Sequence, residues 1–198
     1  KRKNSSLQKR LKQARLNQSA TIENIDFAAS RNLSKSDLLK YAGGDWITNN
    51  LNIIITGPTG AGKTYLACAL ADKACRDGCQ PRYVKAQDLV SELLIARADG
   101  SLPRFIFRLS RCKPLIIDEW MRDPLPALQA REVLDLLDAR YQSASTIFVA
   151  QLPVDKWIHH FDDPTIADAL LDRVVHSSYR IELKGESRRK LNSKIKSN

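Results

Sequence analysis

A chain of 198 residues, 43% hydrophobic and 27% charged, has the make-up of one globular domain and is too apolar to be a disordered segment. No apolar run approaches ~18 residues, which excludes a membrane-spanning helix, and no apolar h-region follows the basic start, so nothing in these residues reads as a secretory signal. The net charge of +10 is concentrated at the ends: residues 1 to 18 carry seven basic and no acidic side chains, and residues 184 to 198 carry six basic side chains and Glu186.

In chain order, Leu7, Leu11 and Ala14 recur at i, i+4 and i+7, which predicts a short amphipathic helix in the basic start. Residues 17 to 33 read as a linker, with an apolar patch at Ile22, Ile25 and Phe27 that packs onto the body. Ser34 to Asp37 offers N-cap residues for a helix to about Tyr41, closed by Gly43-Gly44. Leu51 to Thr56 is a continuous β-branched run, the pattern of a strand buried on both faces of a parallel sheet. A loop at Gly57 to Gly62 leads into a helix over Lys63 to Arg76, ended by Asp77-Gly78. Further strands are expected at 82–85, 115–118, 146–150 and 179–183, and helices at 88–98, 127–141 and 164–176. Strands alternating with helices predict an α/β fold with a mainly parallel sheet.

The strongest chemical signal is Gly57-Pro58-Thr59-Gly60-Ala61-Gly62-Lys63-Thr64, a G-x-x-x-x-G-K-T loop between a strand and a helix. Glycines let the backbone wrap phosphates so that several N–H groups point at them from a helix N-terminus. Lys63 supplies a charge to the β- and γ-phosphates, and the Thr64 hydroxyl suits Mg²⁺. Tyr65 continues this nucleotide-binding set into the helix. Asp118-Glu119 closes the apolar run Leu115 to Ile117, at the strand end where open α/β sheets bind ligands. Asp118 suits the metal and Glu119 suits activation of a water, against the alternative of two solvated acids. Gln151 ends the strand Thr146 to Ala150, where it is either a γ-phosphate or water contact or simply a polar strand end. Arg173 and the run Arg188-Arg189-Lys190 offer guanidinium groups for transition-state charge, although most surface arginines have no such role.

Other residues read as packing. Cys68 and Cys75 are expected to face the sheet, and Cys75-x-x-x-Cys79 lacks zinc spacing and a second pair. The four cysteines fit free thiols of a reducing compartment, so the expected location is the cytoplasm. Two basic ends on a near-neutral body point to a polyanion or to solvated tails. Neither end contains an aromatic residue, so a DNA contact there would run through phosphates and depend strongly on salt.

Together these stretches resemble the IstB-like ATP-binding proteins of insertion-sequence transposition and, more distantly, the DnaC-type helicase loaders, both AAA+ ATPases. The likeness begins at Leu11 to Arg15 and Thr21 to Phe27, and continues through the P-loop, Asp88 to Val90, Leu115 to Glu119 and Gln151 to Trp157. It ends on the distinctive stretches Ala167 to His176 and Arg180 to Arg188. The resemblance implies a P-loop three-layer sandwich with little or no C-terminal lid. It divides the chain into a basic N-terminal helix and linker (1–45), an ATPase core (46–184) and a basic tail (185–198). It makes Gly57 to Thr64 the Walker A loop, Asp118 and Glu119 the Walker B metal ligand and catalytic glutamate, and Gln151 sensor 1. The family pattern usually reads T-S-Q where this chain has Val149-Ala150-Gln151. Arg173 resembles the arginine finger supplied to the next protomer, and the stretch Ile25 to Phe27 resembles the part of the family that packs near the adenine. The implied cofactors are ATP and Mg²⁺. The implied partners are double-stranded DNA, a transposase or replicative helicase, and further copies of the chain in a homo-oligomer with shared active sites. Family members carry an N-terminal extension for self-assembly or partner contact, and since this chain starts at Lys1 most of it is expected to lie before residue 1. Rival readings are a monomeric P-loop small-molecule kinase and a nucleotide-gated DNA-binding module with negligible turnover. Asp118-Glu119 favours water activation over the kinase.

Overall fold

Five β-branched or aromatic runs form a single parallel sheet in the computed structural model, which describes residues 2–25 and 32–185. The strands are β1 (Asn52–Thr56), β2 (Arg82–Lys85), β3 (Leu115–Trp120), β4 (Thr146–Ala150) and β5 (Ser178–Glu182), in the spatial order β2-β3-β4-β1-β5. The order differs from the chain order in one consequential way. β4 lies between β1 and β3, so the strand carrying the phosphate loop and the strand carrying Asp118 flank the strand that ends at Gln151.

Side-chain alternation splits the core into two layers. Ile53 and Ile55 of β1 point to one face, where α4 (Lys63–Arg76) packs through Leu66, Ala67 and Leu70. Ile54, Ile117 and Phe148 point to the other face, covered by α5 (Ala86–Ala98), α6 (Leu102–Ser110), α7 (Ala127–Arg140) and α8 (Pro164–Val175). The result is the expected three-layer sandwich. Cys68 and Cys75 are fully buried on α4, Cys68 in the layer against the sheet as expected, and Trp46 and Trp157 pack in the core. Among the described residues, no helix is long and apolar enough to cross a membrane.

The basic start folds as α1 (Arg2–Ala14), with Ala14 fully buried against the body. Arg10 Nε donates at 2.8 Å to the Cys75 carbonyl, which also accepts from the Gly78 N–H, and so ties α1 to the end of α4. Next come a 3₁₀ turn (Ile22–Asn24), α2 (Lys35–Ala42) and the short α3 (Asp45–Thr48). Ser34 and Asp37 form the capping box at the start of α2.

Three expectations are corrected. The third strand runs two residues further, through Trp120, because a register shift between Ile117 and Trp120 lets it continue past Asp118. Residues 102–110, given no element by sequence, form α6, which starts with Pro103 in its first turn and buries Phe105 and Leu109. Residues 154–160, also left without an element, form a 3₁₀ turn that seats Trp157. Phe27, the run Arg188 to Lys190 and nearly all of the basic tail lie outside the described residues.

One buried cation holds the far end of the sheet together. Arg140 is 2% exposed, and its guanidinium donates to the carbonyls of Leu109, Cys112 and Ser145 and to the Thr146 hydroxyl. Burial pushes its pKa down to about 10, so it remains charged at neutral pH. Arg140→Ala leaves several buried acceptors unpaired, and a loss of about 3 kcal/mol is expected. For a domain of this size that corresponds to a fall of roughly 6–12 °C in a thermal melt.

Candidate nucleotide site

The phosphate loop follows the C-terminal end of β1 and opens α4. Gly62, with φ of +94°, is the N-cap of α4, a conformation that L side chains rarely adopt. Gly57 has φ of +144°, and a Cβ built there would sit 2.3 Å from the Leu183 carbonyl oxygen. Gly57 is therefore required twice over, by backbone conformation and by the close approach of the chain leaving β5. Gly57→Ala is expected to cost about 1–3 kcal/mol and to weaken nucleotide binding, read in a melt and a titration with a fluorescent ATP analogue.

Lys63 Nζ curls back over the loop and donates to the carbonyls of Gly57 and Pro58 at 2.7 and 2.8 Å. Burial pushes its ammonium below the ordinary lysine value, while Asp118 pulls the other way. An ammonium held over the loop at the N-terminus of α4 suits a polyphosphate.

Thr64 Oγ1 donates to Asp118 Oδ2 at 2.8 Å, joining the start of α4 to the end of β3 across the intervening strand. Asp118 is 5% exposed, and the same oxygen accepts from the Tyr83 hydroxyl at 2.8 Å. Burial first, then the bond to Asp118, pushes the Tyr83 phenol well up, so it stays a donor. Two hard oxygen donors at this distance, beside a phosphate cradle, fit Mg²⁺, which takes few protein ligands and completes its shell with phosphate and water.

Glu119 sits at the register shift with φ of +57°, a left-handed conformation costly for a residue with a side chain. Its N–H donates to Asp118 Oδ1 at 2.8 Å, which holds the Asp118 carboxylate against the backbone of Glu119. Lys85 Nζ lies 3.0 Å from Glu119 Oε1, and Arg122 pairs with Oε2. Arg122 is in turn held by Gln87 at 2.7 Å and by Asp123. Gln151 is exposed one residue beyond Ala150, which pairs with both Thr56 and Trp120. The loop, Asp118, Glu119 and Gln151 thus share one edge of the sheet.

Arg173 does not join them. Its carbonyl is bonded by Asn52, the first residue of β1, and its side chain borders a cleft with Asn50 and Thr146 at the strands' N-terminal edge. There Arg173 Nε donates to Asp138 Oδ1 at 2.7 Å, and the guanidinium lies over Tyr141. Ile25 packs against the layer that contains Ala61 and Leu66. Beside Thr56 an open groove of about 590 Å³ is lined by Leu33, Asp37, Tyr41, Asp155, Arg180 and Glu182. Tyr83, Lys85 and Arg122 were not found by sequence reasoning. The first two sit on an ordinary strand, and only the pairing of Lys85 with Asp118 across neighbouring strands brings them in.

The IstB-like ATP-binding protein family matches residues 1–197. An insertion-sequence ATP-binding protein of Sinorhizobium fredii is 42% identical over 181 residues, covering 91% of this chain and 74% of the relative. Among solved structures, DnaI superposes with a TM-score of 0.69 at 16% identity, covering 83% of this chain and 91% of DnaI. The replication initiator DnaA bound to AMPPCP and single-stranded DNA gives 0.68 at 19% identity, covering 91% of this chain and 55% of DnaA. At these identities the two structural likenesses speak for the fold.

Proposed function

The chain belongs to the IstB-like ATP-binding protein family, and from that membership we propose that it is an AAA+ ATPase that assembles on double-stranded DNA and stimulates a transposase. The observation that carries the ATPase reading is the Thr64–Asp118 contact with Glu119 beside it, all against the phosphate loop. The loop N–H groups and Lys63 bind the β- and γ-phosphates. Thr64 and Asp118 would hold Mg²⁺, which supplies charge neutralisation across the phosphates. Glu119 takes a proton from the attacking water, and Gln151 orients that water or the γ-phosphate. Ile25 contacts the adenine side, with the groove beside Thr56 open for the nucleoside.

Arg173 supports assembly by its distance from its own site. A guanidinium at the opposite edge of the sheet serves a γ-phosphate only in a neighbouring copy, so ATP favours a head-to-tail array. The two basic ends and the insertion-sequence relatives support DNA and a transposase as partners. The test is steady-state ATP hydrolysis across a range of protein concentrations, with and without double-stranded DNA at low salt. Specific activity that rises with both is the expected result. Flat activity that ignores DNA removes the shared site, and phosphate appearing on an added small-molecule acceptor favours the kinase.

A further inference from the structure

The body of the chain is near neutral as a whole, yet its charge is not evenly spread in space. Residues 101 to 113 contain Arg104, Arg108, Arg111 and Lys113 and no acidic residue. They form α6 and the turn after it, and the helix sorts them cleanly. Phe105 and Leu109 are buried, while Arg104, Phe107, Arg108 and Arg111 are exposed at i, i+3, i+4 and i+7, one face about 10 Å long. Phe107 is 60% exposed and has the Arg111 guanidinium 5.5 Å from its ring centre, and Arg108 lies over Phe105 at 5.0 Å.

Arg82 on edge strand β2 continues this face. Its charge is disfavoured by burial and then by Arg15, at the end of α1, with Arg108 adding to the crowding. Glu92 of α5 is the acid that opposes them. Among the described residues, Arg15, Arg82, Arg104, Arg108 and Arg111 make no ion pair, whereas Arg76, Arg97, Arg122 and Arg173 each hold a carboxylate. Five arginines without a carboxylate among the described residues, with Arg15 and Arg108 close enough to Arg82 to disfavour its charge, suit an anion.

We propose that this face, built from α6, the edge strand β2 and the end of α1, is the surface that holds duplex DNA. The arginines take successive phosphates, and Phe107 presses against sugars and base edges. The proposal rests on the DNA-binding reading above and adds where on the body the contact is made. Arginine forks match phosphate oxygens, and one exposed aromatic between them suits a groove wall. A lipid surface fits less well, because Phe107 is the one large exposed apolar side chain on α6.

The experiment is anisotropy of a labelled DNA duplex with the full chain and a non-hydrolysable ATP analogue, over a salt series. R104Q/R108Q/R111Q is expected to weaken binding by at least about tenfold and to flatten the slope of log K against log salt by about 2.7, three released counterions. F107A is expected to weaken binding severalfold at unchanged slope, because it removes no charge. Unchanged melting and binding of a fluorescent ATP analogue show that the variants fold. Wild-type affinity and slope in the triple variant overturn the proposal and leave DNA binding to other charges, such as Arg188, Arg189 and Lys190. No duplex binding by the wild type at low salt overturns the DNA reading itself. Loss of binding to phosphatidylserine vesicles, with DNA binding intact, reassigns the face to lipid.

Discussion

Glu119→Gln is expected to keep ATP binding and to lower turnover by about 10²–10⁴-fold, the usual contribution of a general base. The amide has the same shape and can still accept from Lys85, but it cannot take a proton from water. The backbone left-handed turn at residue 119 is set by the register shift, so the substitution leaves it in place. Its contacts with Lys85 and Arg122 are solvent-facing, and pairs of that kind are worth under about 1 kcal/mol each, so the fold survives. Titration with a fluorescent ATP analogue and a phosphate-release assay separate the two effects. Unchanged hydrolysis would remove Glu119 from the role and move attention to Gln151. Asp118 gives a useful contrast. It is buried and bonded to Thr64 and Tyr83, so Asp118→Asn is expected to weaken Mg-nucleotide binding as well as turnover.

The part of the fold that sequence revealed is the part governed by local rules. α4, β2 and β4 fall at the expected residues and β1 starts one residue later, because a β-branched run, a glycine loop and a glycine stop are each local signals. α6 escaped for a physical reason. Phe105-Ile106-Phe107 is the composition of a strand, and only the helical recurrence of Leu102, Phe105, Ile106 and Leu109, after Pro103 in the first turn, betrays the helix. In the linear sequence the arginines of α6 belong to a near-neutral body, and only the helix gathers them on one face.

The candidate site divides in the same way. The loop and the two carboxylates are contiguous motifs, and the sheet brings them together where strand-end chemistry places them. The cations around Glu119 arrive through tertiary structure. Lys85 comes from the neighbouring strand, and Arg122 is turned back by the left-handed residues Glu119 and Met121. Neither Lys85 nor Arg122 has a motif of its own.

Arg173→Ala is expected to lower turnover by about 10³-fold or more while leaving ATP binding by the single chain unchanged, the size of effect an arginine finger supplies. The side chain is anchored by Asp138 and Tyr141, away from its own phosphate loop, so truncation removes nothing from the local nucleotide contacts. A structural role is the rival explanation, since Arg173 also ties α8 to α7. Mixing separates the two. A site needs Glu119 from one copy and Arg173 from the next, so R173A and E119Q, each inactive alone, regenerate complete sites where an R173A copy receives the arginine of an E119Q copy. Random association of equal amounts makes about one site in four complete, because the head-to-tail contact counts each order separately. Recovery of activity on mixing therefore requires the arginine to act across the interface. A mixture as inactive as its components, with both variants folded and binding ATP, would place Arg173 back in the α7–α8 contact and leave the shared active site without its cation.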